Sequence, residues 1–288
     1  MKDKIFSWID GAVSLAVELQ GELTRRPAVS PDSGGEGELD KCVWLEGWLK
    51  AHGVTQLERF DAPDKNARGG VRPNLLATIP GSGKEASLWI ISHLDVVPPG
   101  EASHWQSDPW TMVEAKDGPL GHRLIGRGVE DNQQGLTSSV LAALALVNLG
   151  LQPCRTVKLL FVADEEMGND FGIAWLLKNH KEMFQKNDAA LIPDWGDTKG
   201  EGIEIAEKNM IWVRLTTTGK QTHASRPDLG ANAFLAGSDL ALRLHYGLSE
   251  KFNGRDSLFE PEYSTFQPTK KEANVPNVNT IPGGDVFY

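Results

Sequence analysis

The sequence predicts an α/β fold, with a mixed, largely parallel sheet covered by helices on both faces. Two observations predict it. Short apolar runs of strand length alternate with longer segments whose apolar residues recur at helical spacing. Three of the apolar runs also stop abruptly at His, Asp or Glu, and open α/β sheets form their ligand crevice at the carboxyl ends of their strands.

In chain order, residues 3–24 carry a helical pattern, which "RRPAVSPDSGGEGE" ends with Pro, Ser and Gly, and a second helix is expected over 39–52. "GVTQLERF" reads as a strand. "NLLATIP" and "SLWIISHLD" are β-rich runs separated by "GSGKE", which predicts a hairpin. After a Trp- and Pro-rich loop, an apolar helix is expected over 134–149, then "TVKLLFVADEE" as a buried strand. The helix "GIAWLLKNHKEMF" and the short strand "AALIPD" complete the alternation.

Composition narrows the function. The chain has 288 residues, 40% hydrophobic and 24% charged, enough for a substantial core in one large or two smaller domains. A formal net charge of −10, with no basic cluster, argues against nucleic-acid binding. No apolar run approaches the ~20 residues of a membrane span, and the N-terminal stretch lacks the pattern of a secretion signal. Cys42 and Cys154 have no metal-knuckle or CxxC spacing and read as reduced thiols of a cytoplasmic protein.

The run endings carry the chemistry. "SLWIISHLD" ends in His93 and Asp95, "VKLLFVADEE" in Asp164, Glu165 and Glu166, and "AALIPD" in Asp194. A single carboxylate at a strand end is more often a turn residue than a ligand. Four or more gathered with an imidazole would repel one another unless a cation neutralised them. His and carboxylate without thiolate suit a catalytic zinc, with manganese or cobalt as substitutes. His93 and Asp95, two apart on an extended chain, point to one side, so one can ligate while the other orients it.

"HLDVVPPGEASHWQSDPW", "GRGVEDNQQG", "DEEMGNDFGIAWLL" and "GKQTHASRPDLGANA" occur in this order. Together they resemble the di-zinc metallopeptidase family of acetylornithine deacetylase, succinyl-diaminopimelate desuccinylase, aminoacylase and glutamate carboxypeptidase. The resemblance implies a zinc-dependent catalytic domain over 1–208 and a smaller α+β, ferredoxin-like lid over 209–288, with homodimerisation through the lid. "NMIWVRLTTTG", which alternates like a strand, opens that lid, and a helix to about residue 246 follows. It also implies two zinc ions per complete subunit: His93 and Asp194 on one, Asp131 bridging, and Glu166 on the other. Glu165 would then be the general base toward a zinc-bridged water, with Asp95 behind His93 and a cis peptide after Asp131. His223 would stabilise the oxyanion in the other subunit's site, and Asn279 would bind the same part of the substrate. His104, His122, His180 and His245 match no ligand position.

The sequence departs from the family pattern in places. "NQQG" follows Asp131 where one residue, Lys and Gly are usual. The family's last ligand to the second zinc is a histidine well beyond the lid, and its carboxylate-binding arginine lies past Asn279; neither has a counterpart before Tyr288. The chain therefore reads as a member lacking part of its lid and catalytic domain. The implied function is hydrolysis of an amide bond in an N-acyl amino acid or small peptide. The alternative is a catalytically deficient fragment acting as a metal-binding or dimerisation module.

Overall fold

The computed structural model describes residues 1–83, 86–117, 123–196, 202–273, 275 and 278–288. The chain forms two units, residues 1–202 and 203–288.

The first unit contains helices α1 (Lys2–Asp10), α2 (Val13–Thr24), α3 (Leu39–Ala51), α4 (Gln133–Asn148) and α5 (Ile173–Asn179). Its strands are β1 (Leu57–Pro63), β2 (Val71–Ile79), β3 (Leu88–His93), β4 (Val113–Ala115), β5 (Arg123–Ile125), β6 (Val157–Val162) and β7 (Ala189–Leu191). Five of these form one mixed sheet in the order β1, β2, β6, β3, β7, while β4 and β5 pair as a separate ribbon. The β1–β2 and β2–β6 pairs are antiparallel, and β3 runs parallel to both β6 and β7.

Side chains alternate across this sheet with the period of two that extended backbone imposes. Leu75, Ala77, Leu159 and Phe161 face one core with Leu19, Leu45, Leu49, Val140 and Leu144 of the helices; Leu76, Leu160 and Val162 face another with Trp89 and Leu176. The sheet is covered on both faces, as expected. The hairpin between "NLLATIP" and "SLWIISHLD" does not form. β6 lies between β2 and β3, because its buried residues 159–162 find neighbours on both sides there. Within "GSGKE", Lys84 and Glu85 lie outside the described residues. The helix expected over 3–24 is two helices, broken at Gly11 and Ala12, where glycine's low helical propensity acts. The strand in "GVTQLERF" starts only at Leu57.

The second unit contains β8 (Leu215–Thr218), β9 (Thr222–His223), α6 (Ala233–Lys251), β10 (Lys271–Ala273), β11 (Thr280–Ile281) and β12 (Gly284–Phe287). β10, β12 and β8 form an antiparallel sheet in that order, and β9 pairs with β11. This is an α+β arrangement: Asn232 caps α6 by accepting from the amide of Leu235 at 3.1 Å, and Phe287 of β12 packs against Gly237 of the helix. The expected strand over 209–219 is regular only across Leu215–Thr218, and α6 runs on to Lys251. Among the described residues, 209–214 pair with no strand.

Candidate metal centre

β3 and β6, parallel neighbours, deliver His93 and the segment 163–166 to the same end of the sheet. Asp194 follows β7, the strand on the other side of β3, and Asp131 precedes α4. The carboxyl ends of three adjacent parallel strands thus supply the groups singled out from the sequence.

His93 is 3% exposed, and its Nδ1 lies 2.9 Å from the carbonyl oxygen of Asp95. That contact places a proton on Nδ1, so that Nε2 is the nitrogen left to ligate a cation once the ring is neutral. Nε2 lies 2.9 Å from Asp131 Oδ1, 3.5 Å from Asp194 Oδ1 and 3.9 Å from Glu165 Oε2. One donor atom each from His93, Asp131 and Asp194 lies within 4.8 Å of the other two. Tetrahedral ligands about 2.0–2.1 Å from a zinc ion stand about 3.3 Å apart, so the three fit one cation.

Charge points the same way. Burial opposes a charge on His93, but hydrogen bonds to Asp131, Asp194 and Asp95 keep the ring protonated up to about 12. The acids demand a positive charge at Nε2. The hydrogen bond with His93 lowers the pKa of Asp194 against the effect of burial. Burial raises that of Glu165 despite the opposing pull of His93. Burial and the charge of Asp131 push Glu166 up to about 7.

Beneath these groups, Asp95 is 1% exposed and accepts from the amides of Glu165 and Glu166, both at 3.0 Å. Lys41 donates to the carbonyl of Leu94 at 2.9 Å, bracing the backbone between His93 and Asp95. Burial pushes the Lys41 ammonium down to about 8, against the pull of Asp95 and Glu38.

The peptide between Asp131 and Asn132 is cis. Asn132, which the sequence reading passed over, is 1% exposed; its Oδ1 accepts from the His93 amide at 3.2 Å, and its Nδ2 donates to Asp194 Oδ1 at 2.5 Å. It ties two donor residues together. Its only sequence signal is its place directly after Asp131. Glu166 lies outside the compact trio but close enough for Asp131 to dominate its charge environment.

In the second unit, β9 and β11 bring His223 and Asn279 together: Thr280 is paired with His223, and the Ala224 amide donates to the Asn279 carbonyl at 2.7 Å. His223 is exposed, with Nδ1 2.8 Å from Ser225 Oγ. The other described histidines have partners of their own. His180 packs on Phe60 and Trp175, His245 meets the Phe266 carbonyl, and His104 sits in an exposed turn. His122 lies outside the described residues.

A sheet whose strand ends present one imidazole among carboxylates defines an α/β protein with a candidate metal centre. The model of peptidase family M20/M25/M40 matches residues 89–279, and the chain belongs to this family. It is 38% identical over 275 residues to an uncharacterized metallohydrolase of Methanocaldococcus jannaschii, covering 93% of this chain and 65% of that protein. It is 30% identical over 268 residues to a succinyl-diaminopimelate desuccinylase of Roseobacter denitrificans, covering 92% of this chain and 64% of the relative. The chain thus spans a little under two thirds of the length of these curated relatives. Among solved structures, the di-peptidase Dug1p of Saccharomyces cerevisiae is similar with a TM-score of 0.70 at 17% identity, over 99% of this chain and 70% of that one. An M20 family metallo-carboxypeptidase of Sulfolobus solfataricus gives 0.63 at 17% identity, over 94% and 69%. Family membership implies a divalent metal, and His93, Asp131 and Asp194 are a donor group able to hold one.

Proposed function

We propose that the protein is a zinc-dependent amidohydrolase acting on an N-acyl amino acid or small peptide, with the first unit as catalytic domain and the second as lid. The observation that carries this reading is the convergence of His93, Asp131 and Asp194 on one point, with Glu165 beside them. Zinc is favoured by the imidazole and carboxylate donors, which cobalt and manganese also accept. His93, Asp194 and Asp131 would hold one ion, and Glu166 beside Asp131 would hold a second. Bound cations supply Lewis acidity to the amide carbonyl and lower the pKa of a water in the site.

Glu165 takes a proton from a water whose oxygen attacks the amide carbon, and returns it to the nitrogen as the C–N bond breaks. A carboxylate and a free amine result. Asp95 keeps His93 in the tautomer that presents Nε2. His223, from the partner of a homodimer, donates to the oxyanion, and Asn279 holds the same part of the substrate. The free thiols of Cys42 and Cys154 support a cytoplasmic setting. Relatives named desuccinylases, and structural neighbours described as a di-peptidase and a carboxypeptidase, make acyl amino acids and short peptides the substrates to try.

The test is hydrolysis of N-acetyl and N-succinyl amino acids and of dipeptides by the zinc-loaded chain, with zinc counted after dialysis. Turnover that vanishes on chelation supports the proposal. Retained zinc without turnover of any of these favours the second role, a metal-binding or dimerisation module. Failure to retain zinc at all would sink the metal assignment.

A further inference from the structure

Below the metal centre lies a set of buried charges that the reaction above does not use. Arg72, on β2, is 1% exposed. Its Nε and Nη2 donate to the two carboxylate oxygens of Glu38 at 2.6 and 2.5 Å, and Nη2 also donates to Asp164 Oδ1 at 3.2 Å. Glu38 is fully buried and Asp164 is 3% exposed. Burying charges at this depth carries a desolvation cost that only complete pairing offsets, and an apolar group of similar size would fill the space more cheaply. The arrangement therefore calls for a role beyond filling space.

Asp164 supplies one. It stands two residues past the end of β6 with a left-handed backbone, φ +62°, a conformation that Asp tolerates better than most residues. Its Oδ2 accepts from the Phe171 amide at 3.2 Å, and its carbonyl accepts from the Asn169 amide at 2.7 Å. Arg72 thus fixes the residue that closes this loop. The next two residues are Glu165 and Glu166, whose amides clasp Asp95, and Asp95 Oδ1 lies 3.5 Å from His93 Nδ1. A line of direct contacts and adjacent residues runs from Glu38 through Arg72, Asp164, the two amides and Asp95 to His93.

We propose that Arg72, clamped by Glu38, is a positioning residue for the metal centre: it locks Asp164 in the turn from which Glu165 and Glu166 project and on which Asp95 and His93 are braced. This rests on the metal assignment above. The fork of the guanidinium is essential, because it binds Glu38 through two parallel hydrogen bonds and still reaches Asp164. An ammonium is a point donor on a flexible stem and cannot do both.

Zinc titration of the metal-stripped full chain tests the proposal, using wild type, Arg72→Lys, Glu38→Gln, His93→Ala and Leu45→Ala. Leu45 is fully buried in the core, so its truncation lowers the melting temperature without touching the line of contacts. His93→Ala should abolish tight binding. Arg72→Lys should weaken zinc binding about 10-fold, the low end of the usual effect of removing a ligand's direct partner, because Arg72 acts through Asp164 and Asp95. Glu38→Gln keeps the shape and one acceptor, and should shift affinity in the same direction by less, whether or not Arg72→Lys folds. Leu45→Ala should bind within about 2-fold of wild type despite its lower melting temperature. Wild-type affinity in Arg72→Lys or Glu38→Gln, or an equal loss in Leu45→Ala, would overturn the positioning role alone. Absence of zinc binding by wild type would overturn the metal assignment and this inference together.

Discussion

His93 is an imidazole enclosed by acids, and the neighbouring Glu165 and Glu166 divide the remaining work between them. If Glu165 moves the proton while Glu166 holds metal, Glu165→Ala should lower turnover by about 10²–10⁴ with zinc content nearly unchanged. Glu166→Ala should lose zinc; equal metal loss in both variants, measured after dialysis, would show the roles misassigned. The metal-free protein should also have a distinctive pH profile. His93 is raised to about 12 and Glu166 to about 7, so the folded state holds protons that the unfolded chain releases earlier. The Glu166 contribution to stability is full below its unfolded value of about 4.5 and is lost by about pH 7; that of His93 is full below about 6.5 and falls as pH rises toward 12. Melting temperature of the stripped chain should therefore fall from pH 5 to pH 8. Saturating zinc should reverse that trend, because metal needs the deprotonated ligands. A flat or rising profile in the stripped chain would mean that the acids do not crowd His93 as described.

Whole elements reach the site through close backbone approaches that tolerate no side chain. At Gly135, in the first turn of α4, a Cβ would sit 1.9 Å from the carbonyl oxygen of Pro193, the residue before Asp194. Gly135→Ala should therefore push the β7 end away from α4, misplace Asp194 and weaken zinc binding by about 10-fold or more, a loss that the same titration would read. The strand ends themselves were legible in the sequence, because an apolar run that stops at His93, Asp164 or Asp194 announces both the strand and its terminus. Strand order was not. Local pattern records which residues prefer extended backbone, but the pairing of β2 with β6 rather than β3 depends on contacts some 80 residues apart, outside any window of periodicity. Arg72 and Glu38 were illegible for a related reason. A charged residue near the start of a strand or helix reads as solvent-facing, and only the assembled sheet shows that the two meet in the interior. Asn132 was hidden by the prominence of the ligand before it.

At the scale of the molecule, the second unit presents much apolar surface. Met210, Ile211 and Trp212 are 76, 82 and 73% exposed, and with α6 and β12 they line an apolar cavity of about 490 Å³. Surfaces of this kind mark association sites or aggregation liabilities. The chain should bind an apolar dye strongly and show concentration-dependent association in sedimentation, and Trp212→Asp should reduce both. A monodisperse monomer that ignores the dye would contradict the exposure of this face. In the first unit, the place of β6 between β2 and β3 bears on how the protein is made. β2 can pair with β1 as soon as both have left the ribosome, but β3, an apolar segment, must wait for β6. Roughly 60 residues separate the two, so at 5–20 residues per second the nascent chain carries β3 with both edges bare for about 3–12 s. Over that interval the growing polypeptide is a client for ribosome-associated chaperones, and a pause in translation before Val157 would leave it prone to join a neighbour on the same polysome through the strand that later carries His93.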